Sequence, residues 1–181
     1  LEDKKIPRQT LRAGDKLELG PDLRLEVLHP PAAPQAGGGK SSRLHDNNSS
    51  LVLRLVWHEA PLALLCGDAE LPAQRAILRA LAPEEGASPA LRAQVLVLPH
   101  HGSSGSSLPE FYQAVSPELA LASCGFANPW GFPTPKTRQN LEEAGIPLLR
   151  TDLCGQIQAR WTRPGPDEKP RLSVSTARAM P

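Results

Sequence analysis

From residue 51 to residue 150 the chain alternates short, nearly wholly apolar runs with segments whose apolar residues recur at helical spacing. That alternation leaves little choice of fold. Short apolar runs bounded by Gly, Pro or Asn are strands of a covered sheet, and the helical segments between them are what covers it. The strings "LVLRLVW" (51–57) and "PLALLCG" (61–67) are separated by "HEA", the length of a hairpin turn. "LPAQRAILRAL" (71–81) predicts a helix and "QVLVL" (94–98) a strand. "SLPEFYQAV" opens another helix, with Ser107 and Glu110 spaced as a capping box. "LALASCG" (119–125) is a strand, and "TPKTRQNLEEAG" a helix with Thr134 as N-cap, Pro135 at its first position and Gly145 as its stop. "IPLLRT" and "GQIQARW" predict closing strands joined through Asp152 and Gly155. Ahead of all this, "DKLELG" and "DLRLEVLH" read as strands, Leu23, Leu25 and Val27 alternating with polar residues. Strands alternating with helices behind a leading hairpin give an α/β fold.

The remaining stretches build no core. Residues 30–50, "PPAAPQAGGGKSSRLHDNNSS", predict a flexible surface loop. From Thr162 the chain is broken by prolines, so residues 1–161 are expected to form the domain and 162–181 a partly disordered tail. A length of 181 residues suits one domain. The 20 Lys and Arg against 19 acids create no overall field toward nucleic acid or a membrane, which leaves room for a local basic rim. No apolar run is long enough to span a bilayer. The opening "LEDKKIPRQTL" is expected to be the interior of a longer protein. Cys66, Cys124 and Cys154 have no C-x-x-C spacing, which argues against a zinc knuckle.

Functional groups in α/β sheets gather at the carboxyl ends of the strands, where backbone leaves the core. Three predicted ends carry unusual residues. Asp68 follows "LALLCG", His100 and His101 follow "VLVLP", and "NPWGFP" (128–133) follows "LALASCG" after a short gap. A carboxylate and an imidazole converging from neighbouring ends are suitable ligands for zinc or manganese. Gly67 and Gly102 beside them let backbone approach an ion or a phosphate. Plainer readings exist for each. Asp68 reads equally as the N-cap of the helix beginning near Leu71, and Glu70 as first-turn helix electrostatics. A pair of histidines is weak evidence alone. His45 and His58 read as surface residues, Cys66 and Cys124 as small core residues, and Trp57, Trp130 and Trp161 as packing. A serine nucleophile is disfavoured, since Gly102-Ser103-Ser104-Gly105 is one residue short of G-x-S-x-G and no helix follows directly.

In order, "HDNNSSLVLRL", "LALLCGDAE", "VLVLPHHGSSGSS", "LASCGFANPWGFPTP" and "LLRTDLCGQI" resemble the carboxy-terminal metallo-β-lactamase-fold domain of the ComEC family, membrane channel proteins of bacterial natural transformation. The match runs from about residue 10 to about residue 160. The resemblance implies an αββα sandwich of two mixed sheets flanked by helices, with a metal site along one sheet edge. It maps a bridging metal ligand onto Asp68 and the last histidine ligand onto His100 or His101. Asn47, Asn48 and Ser49 would line the site where relatives place another histidine, with Gly102, Ser103, Asn128 and Phe132 around it. It also implies a nuclease acting on the single strand of DNA that is not imported, in a soluble domain attached to the inner-membrane channel portion of its parent on the periplasmic or extracellular side.

Two departures stand against full activity. The superfamily's metal string H-x-[HD]-x-D-H occurs nowhere in these residues, so the fold is expected to be incomplete at its N-terminal side. Gly131-Phe132-Pro133 stands where relatives usually read "GHP". Asp68, His100 and His101 are the candidate catalytic and metal-binding set. With so few ligands, the chain alone is expected to hold zinc or manganese weakly and to cleave no DNA. The alternative is a non-catalytic module of the same fold that binds or guides single-stranded DNA.

Overall fold

A computed structural model describes residues 7–31, 47–81, 91–165 and 168–179. Nine strands and four helices lie within them. The first seven strands form one sheet in chain order: β1 (Lys16–Gly20), β2 (Leu23–His29), β3 (Val52–Trp57), β4 (Ala60–Leu65), β5 (Val95–Val97), β6 (Leu119–Ala122) and β7 (Leu148–Arg150). The pairs β1–β2, β2–β3 and β3–β4 are antiparallel, whereas β4–β5, β5–β6 and β6–β7 are parallel. This is the mixed α/β arrangement expected from the alternation. A separate two-stranded antiparallel sheet pairs β8 (Ile157–Thr162) with β9 (Arg171–Thr176).

The helices are the crossovers that parallel strands require. Helix α1 (Leu71–Ala80) joins β4 to β5, α2 (Pro109–Val115) joins β5 to β6, α3 (Pro135–Glu143) joins β6 to β7, and the single turn α4 (Thr151–Cys154) leads into β8. Their apolar stripes meet one face of the sheet: Ala73, Ile77, Phe111, Tyr112, Val115 and Leu141 pack with Val52, Leu64, Leu96 and Ala120 in a single buried cluster. The other face is different. Leu53, Leu65, Val97, Leu121 and Leu149 fall in register from β3 to β7. All five stay half-buried or exposed, Leu65 at 39%.

Three local expectations are corrected. Ser107 does not cap α2; its Oγ instead accepts from Tyr112 Oη (3.2 Å) and Asn140 Nδ2 (2.9 Å), tying α2 to α3. The Tyr112 bond is buried, where leaving a hydroxyl unpaired is costly. Asp68 is not the N-cap of α1, whose cap position is Glu70 with no side-chain bond to the helix. The tail beyond Thr162 contains β9, because "RLSVST" pairs residue for residue with β8 despite the prolines before it. Thr134 does cap α3, its Oγ1 accepting from Thr137 N at 3.4 Å. Most of the 30–50 loop, His45 included, lies outside the described residues.

Candidate active-site cleft

Parallel pairing sends the carboxyl ends of β4 to β7 to one sheet edge, and the start of antiparallel β3 lies there too. A cleft of about 440 Å³ opens at that edge, lined by Asp68 after β4, by His100 and His101 after β5, and by Ser123, Cys124, Gly125, Asn128, Trp130 and Phe132 after β6. The sequence-level candidates Asp68, His100, His101, Asn128 and Phe132 therefore share one concavity. Asn47, Asn48, Ser49, Gly102 and Ser103 are not among the residues lining it. Several of these brace it instead. Asn47 Nδ2 donates to Glu70 Oε1 (3.0 Å), and Asn48 Oδ1 accepts from Ala73 N (3.2 Å) at the start of α1. Ser103 Oγ accepts from Gly105 N in the following turn.

The two histidines sit on strained backbone. His100 (φ 48°, ψ 45°) and His101 (φ 55°, ψ 16°) are both left-handed, a conformation costing a non-glycine residue on the order of 1 kcal/mol. Two in succession need outside support, and the neighbouring strand ends give it. His100 N donates to Gly67 O at 2.9 Å, linking the β5 end to the β4 end. His101 Nδ1 bonds Ser123 O at 2.7 Å, linking it to the β6 end. A carbonyl only accepts, so in the neutral ring the His101 proton is on Nδ1 and the lone pair is on Nε2. His100 is held differently. Its Nδ1 is buried without a hydrogen bond, and the nearby carboxylate oxygen, Glu70 Oε1, is 3.5 Å away.

Asp68 is placed by a chain of contacts from β2. Buried His29 bonds Ser50 O through Nδ1 (3.0 Å), and Ser50 Oγ accepts from Asp68 N (3.1 Å). Gly67 (φ +52°) makes the turn, and a Cβ there would stand 3.2 Å from Ser50 Cβ. On the far wall, Gly102 lies so close to the loop before α3 that an added Cβ would meet Pro133 Cβ at 2.6 Å. Gly102 O accepts from Thr134 N (3.0 Å) and Thr137 Oγ1 (2.8 Å). Asn128 closes that loop on itself, its Oδ1 accepting from Phe132 N (2.7 Å) and its Nδ2 donating to Phe132 O (2.9 Å). The loop thereby presents a row of rings. His101 stacks on Phe132 (6.4 Å, 22°), and Phe132 on Trp130 (6.3 Å, 18°).

Trp130, expected to be packing, is 71% exposed, because the hairpin-like closure at Asn128 turns it outward. Cys124, expected in the core, is half-buried in the cleft wall and donates from Sγ to Asp152 Oδ1 (3.1 Å). Burial and the neighbouring carboxylate both push its thiol up, so it stays protonated at neutral pH. Asp152 is held below the usual carboxylate range by its bonds from Arg150. Glu70, Ser50, His29, Ser123 and Trp130 are the residues that sequence reasoning missed or set aside. Only the exposed tryptophan between proline and glycine carried a readable signal.

The resemblance implies a divalent ion here. Asp68 and His100 or His101 are donors of the right kind, and the buried, unbonded His100 Nδ1 beside Glu70 is the sort of carboxylate–imidazole pairing that orients metal-binding histidines. Number decides against them: among the described residues no group of three or more His, Cys, Asp or Glu is arranged to hold an ion. The described residues do not make a metal centre by themselves. No described helix is long and apolar enough to cross a membrane.

No family model matches the chain. It is 43% identical over 122 residues to Competence protein ComA of Neisseria gonorrhoeae, covering 67% of this chain and 17% of that protein. It is 35% identical over 155 residues to ComE operon protein 3 of Bacillus subtilis, covering 84% of this chain and 18% of that protein. The chain thus spans less than a fifth of the length of these relatives. The solved structure of Igni18, a metallo hydrolase from the archaeon Ignicoccus hospitalis, is similar at a TM-score of 0.48 and 17% identity over 82% of this chain and 59% of that one. On the sequence identity it sustains with the competence proteins, the chain belongs to the ComEC family.

Proposed function

We propose that the chain forms one wall of the active-site cleft of a ComEC-type metallo-β-lactamase-like domain, and that the domain hydrolyses phosphodiester bonds in the DNA strand that is not imported. The observation that carries this reading is the convergence of Asp68, His100 and His101 from adjacent parallel strand ends into one cleft. A bound zinc or manganese would supply the Lewis acidity that such hydrolysis needs. This chain's contribution is positional. Ser50 and Gly67 set the Asp68 backbone, Ser123 O fixes the His101 tautomer, and Glu70 stands beside His100. The half-exposed aliphatic face of the sheet supports the reading that further structure, and with it further ligands, completes the domain. The domain would belong to an inner-membrane channel protein and face the periplasm or cell exterior.

A second reading, a module that guides single-stranded DNA without cutting it, is favoured by the shortfall in ligands and by Phe132. One experiment separates the two. In a longer form of the protein that carries an H-x-[HD]-x-D-H string, chelator-sensitive cleavage of labelled single strands is expected. Asp68→Ala should reduce it by more than about 100-fold, the upper range for losing a mere supporting contact to a ligand. His100→Ala and His101→Ala should differ from each other. Full activity in Asp68→Ala rejects the hydrolytic reading.

A further inference from the structure

The segment from Gly125 to Leu141, a loop and the start of α3, combines two features that packing does not explain. The first is an aromatic row with an open end. Trp130 lies against Phe132 on one side, Phe132 against His101, and Trp130 is 71% exposed. Phe126, four residues earlier, is 87% exposed. Trp130 lines the cleft and Phe126 follows the lining residue Gly125 in the chain, and large rings clustered in water cost free energy unless a ligand covers them. The second feature is charge. No Asp or Glu occurs between Gly125 and Leu141, whereas Lys136 and Arg138 stand in the first turn of α3, exposed on either side of buried Thr137. Positive side chains are unfavourable at a helix N-terminus, where the backbone dipole already presents positive charge. No ion pair to either is found among the described residues.

We propose that this loop is a stacking platform for unpaired nucleobases, with Trp130 taking the base next to the cleft, Phe126 a neighbouring base, and Lys136 and Arg138 the phosphates between them. The inference rests on the DNA-directed function proposed above and says how its single strand is held, since only unpaired bases offer a free face. Rings that stack on any base and cations that track the backbone are the two parts of sequence-tolerant single-strand binding. Asn128 is the positioning residue. Its two bonds to Phe132 close the loop and turn Trp130 outward.

The test uses the 181-residue chain, which needs no ion to bind through this face. Titration with a fluorescent oligothymidylate should show saturable binding that weakens with salt. Trp130→Ala should weaken it at least about fivefold, the low end of what one stacked base contributes, and Trp130→Phe should restore most of it. An abasic strand of equal length and charge should bind more weakly than the oligothymidylate binds Trp130→Ala, because it loses the Phe126 stack as well, and should not respond to that substitution. Lys136→Glu with Arg138→Glu should weaken both strands and flatten the salt dependence. Equal affinity of wild type and Trp130→Ala for the oligothymidylate overturns the proposal, as does Trp130-dependent binding to anionic vesicles without binding to the strand. In the longer protein the two ideas fail separately. Cleavage lost in Asp68→Ala but with unchanged KM in Trp130→Ala removes the platform alone, whereas a Trp130-dependent KM with full activity in Asp68→Ala removes the hydrolytic site alone.

Discussion

The left-handed pair at His100 and His101 is where single residues matter most. Each holds a conformation that glycine adopts freely and an imidazole does not, and each is kept there by a bond to a neighbouring strand end. Strain and support can be separated by two substitutions at one position. His101→Ala and His101→Gly both remove the bond to Ser123 O, but only the glycine releases the left-handed strain. The glycine variant should therefore be more stable than the alanine variant by about 1 kcal/mol in urea unfolding. Equal stabilities would mean that the backbone relaxes elsewhere and that the turn is not held under load.

Between elements, the joint after β7 has its own pH signature. Arg150 donates to both carboxylate oxygens of Asp152, at 3.1 and 2.6 Å, and Cys124 Sγ adds a third bond from the β6 end. The Arg150 bonds and, less strongly, that thiol outweigh burial and hold Asp152 below its ordinary range. A carboxylate whose folded pKa is depressed stabilises the fold above its unfolded pKa and loses that contribution as pH falls through the folded value. Asp152→Asn should cost about 1 kcal/mol or more at pH 7, and the urea midpoints of variant and wild type should converge in strongly acidic solution. A difference that persists unchanged in acid would place the loss in packing. The elements themselves were legible from the chain: apolar and alternating runs with turn residues between them gave β1 to β8 and the three longer helices. That Asp68, the two histidines and Phe132 meet at one place was legible because strand polarity sends the strand ends before them to one edge. Their supports were not. His29, Ser50 and Ser123 come from other strands or act through backbone atoms, and no local pattern marks a bond that only the tertiary fold creates. Trp130 was misread as packing because aromatic residues are usually buried, and its exposure depends on the closure made by Asn128.

At the scale of the whole molecule, the sheet is covered unequally. The face under the three longer helices holds the buried cluster around Leu64, Leu96, Phe111 and Tyr112. The row Leu53, Leu65, Val97, Leu121 and Leu149 on the opposite face stays half-buried or exposed, and the β8–β9 hairpin is a second layer of only two strands. A contiguous aliphatic row of this kind marks a surface that another layer of protein should cover. In a two-sheet sandwich that layer would be the partner sheet, which would also bring ligands toward the edge carrying Asp68 and His100. The 181-residue chain studied alone should then bind an apolar dye and self-associate as its concentration rises, as read by fluorescence and light scattering. Leu65→Lys should reduce both, because it places a charge within the row. It should cost less than about 1 kcal/mol in stability, since Leu65 is already 39% exposed and its replacement leaves no cavity. A larger loss would show that Leu65 is covered within this chain, and unchanged association would move the sticky surface to the aromatic loop at the cleft. Either result bears on the site, because the row expected to drive association ends at the strand termini that carry Asp68 and His100.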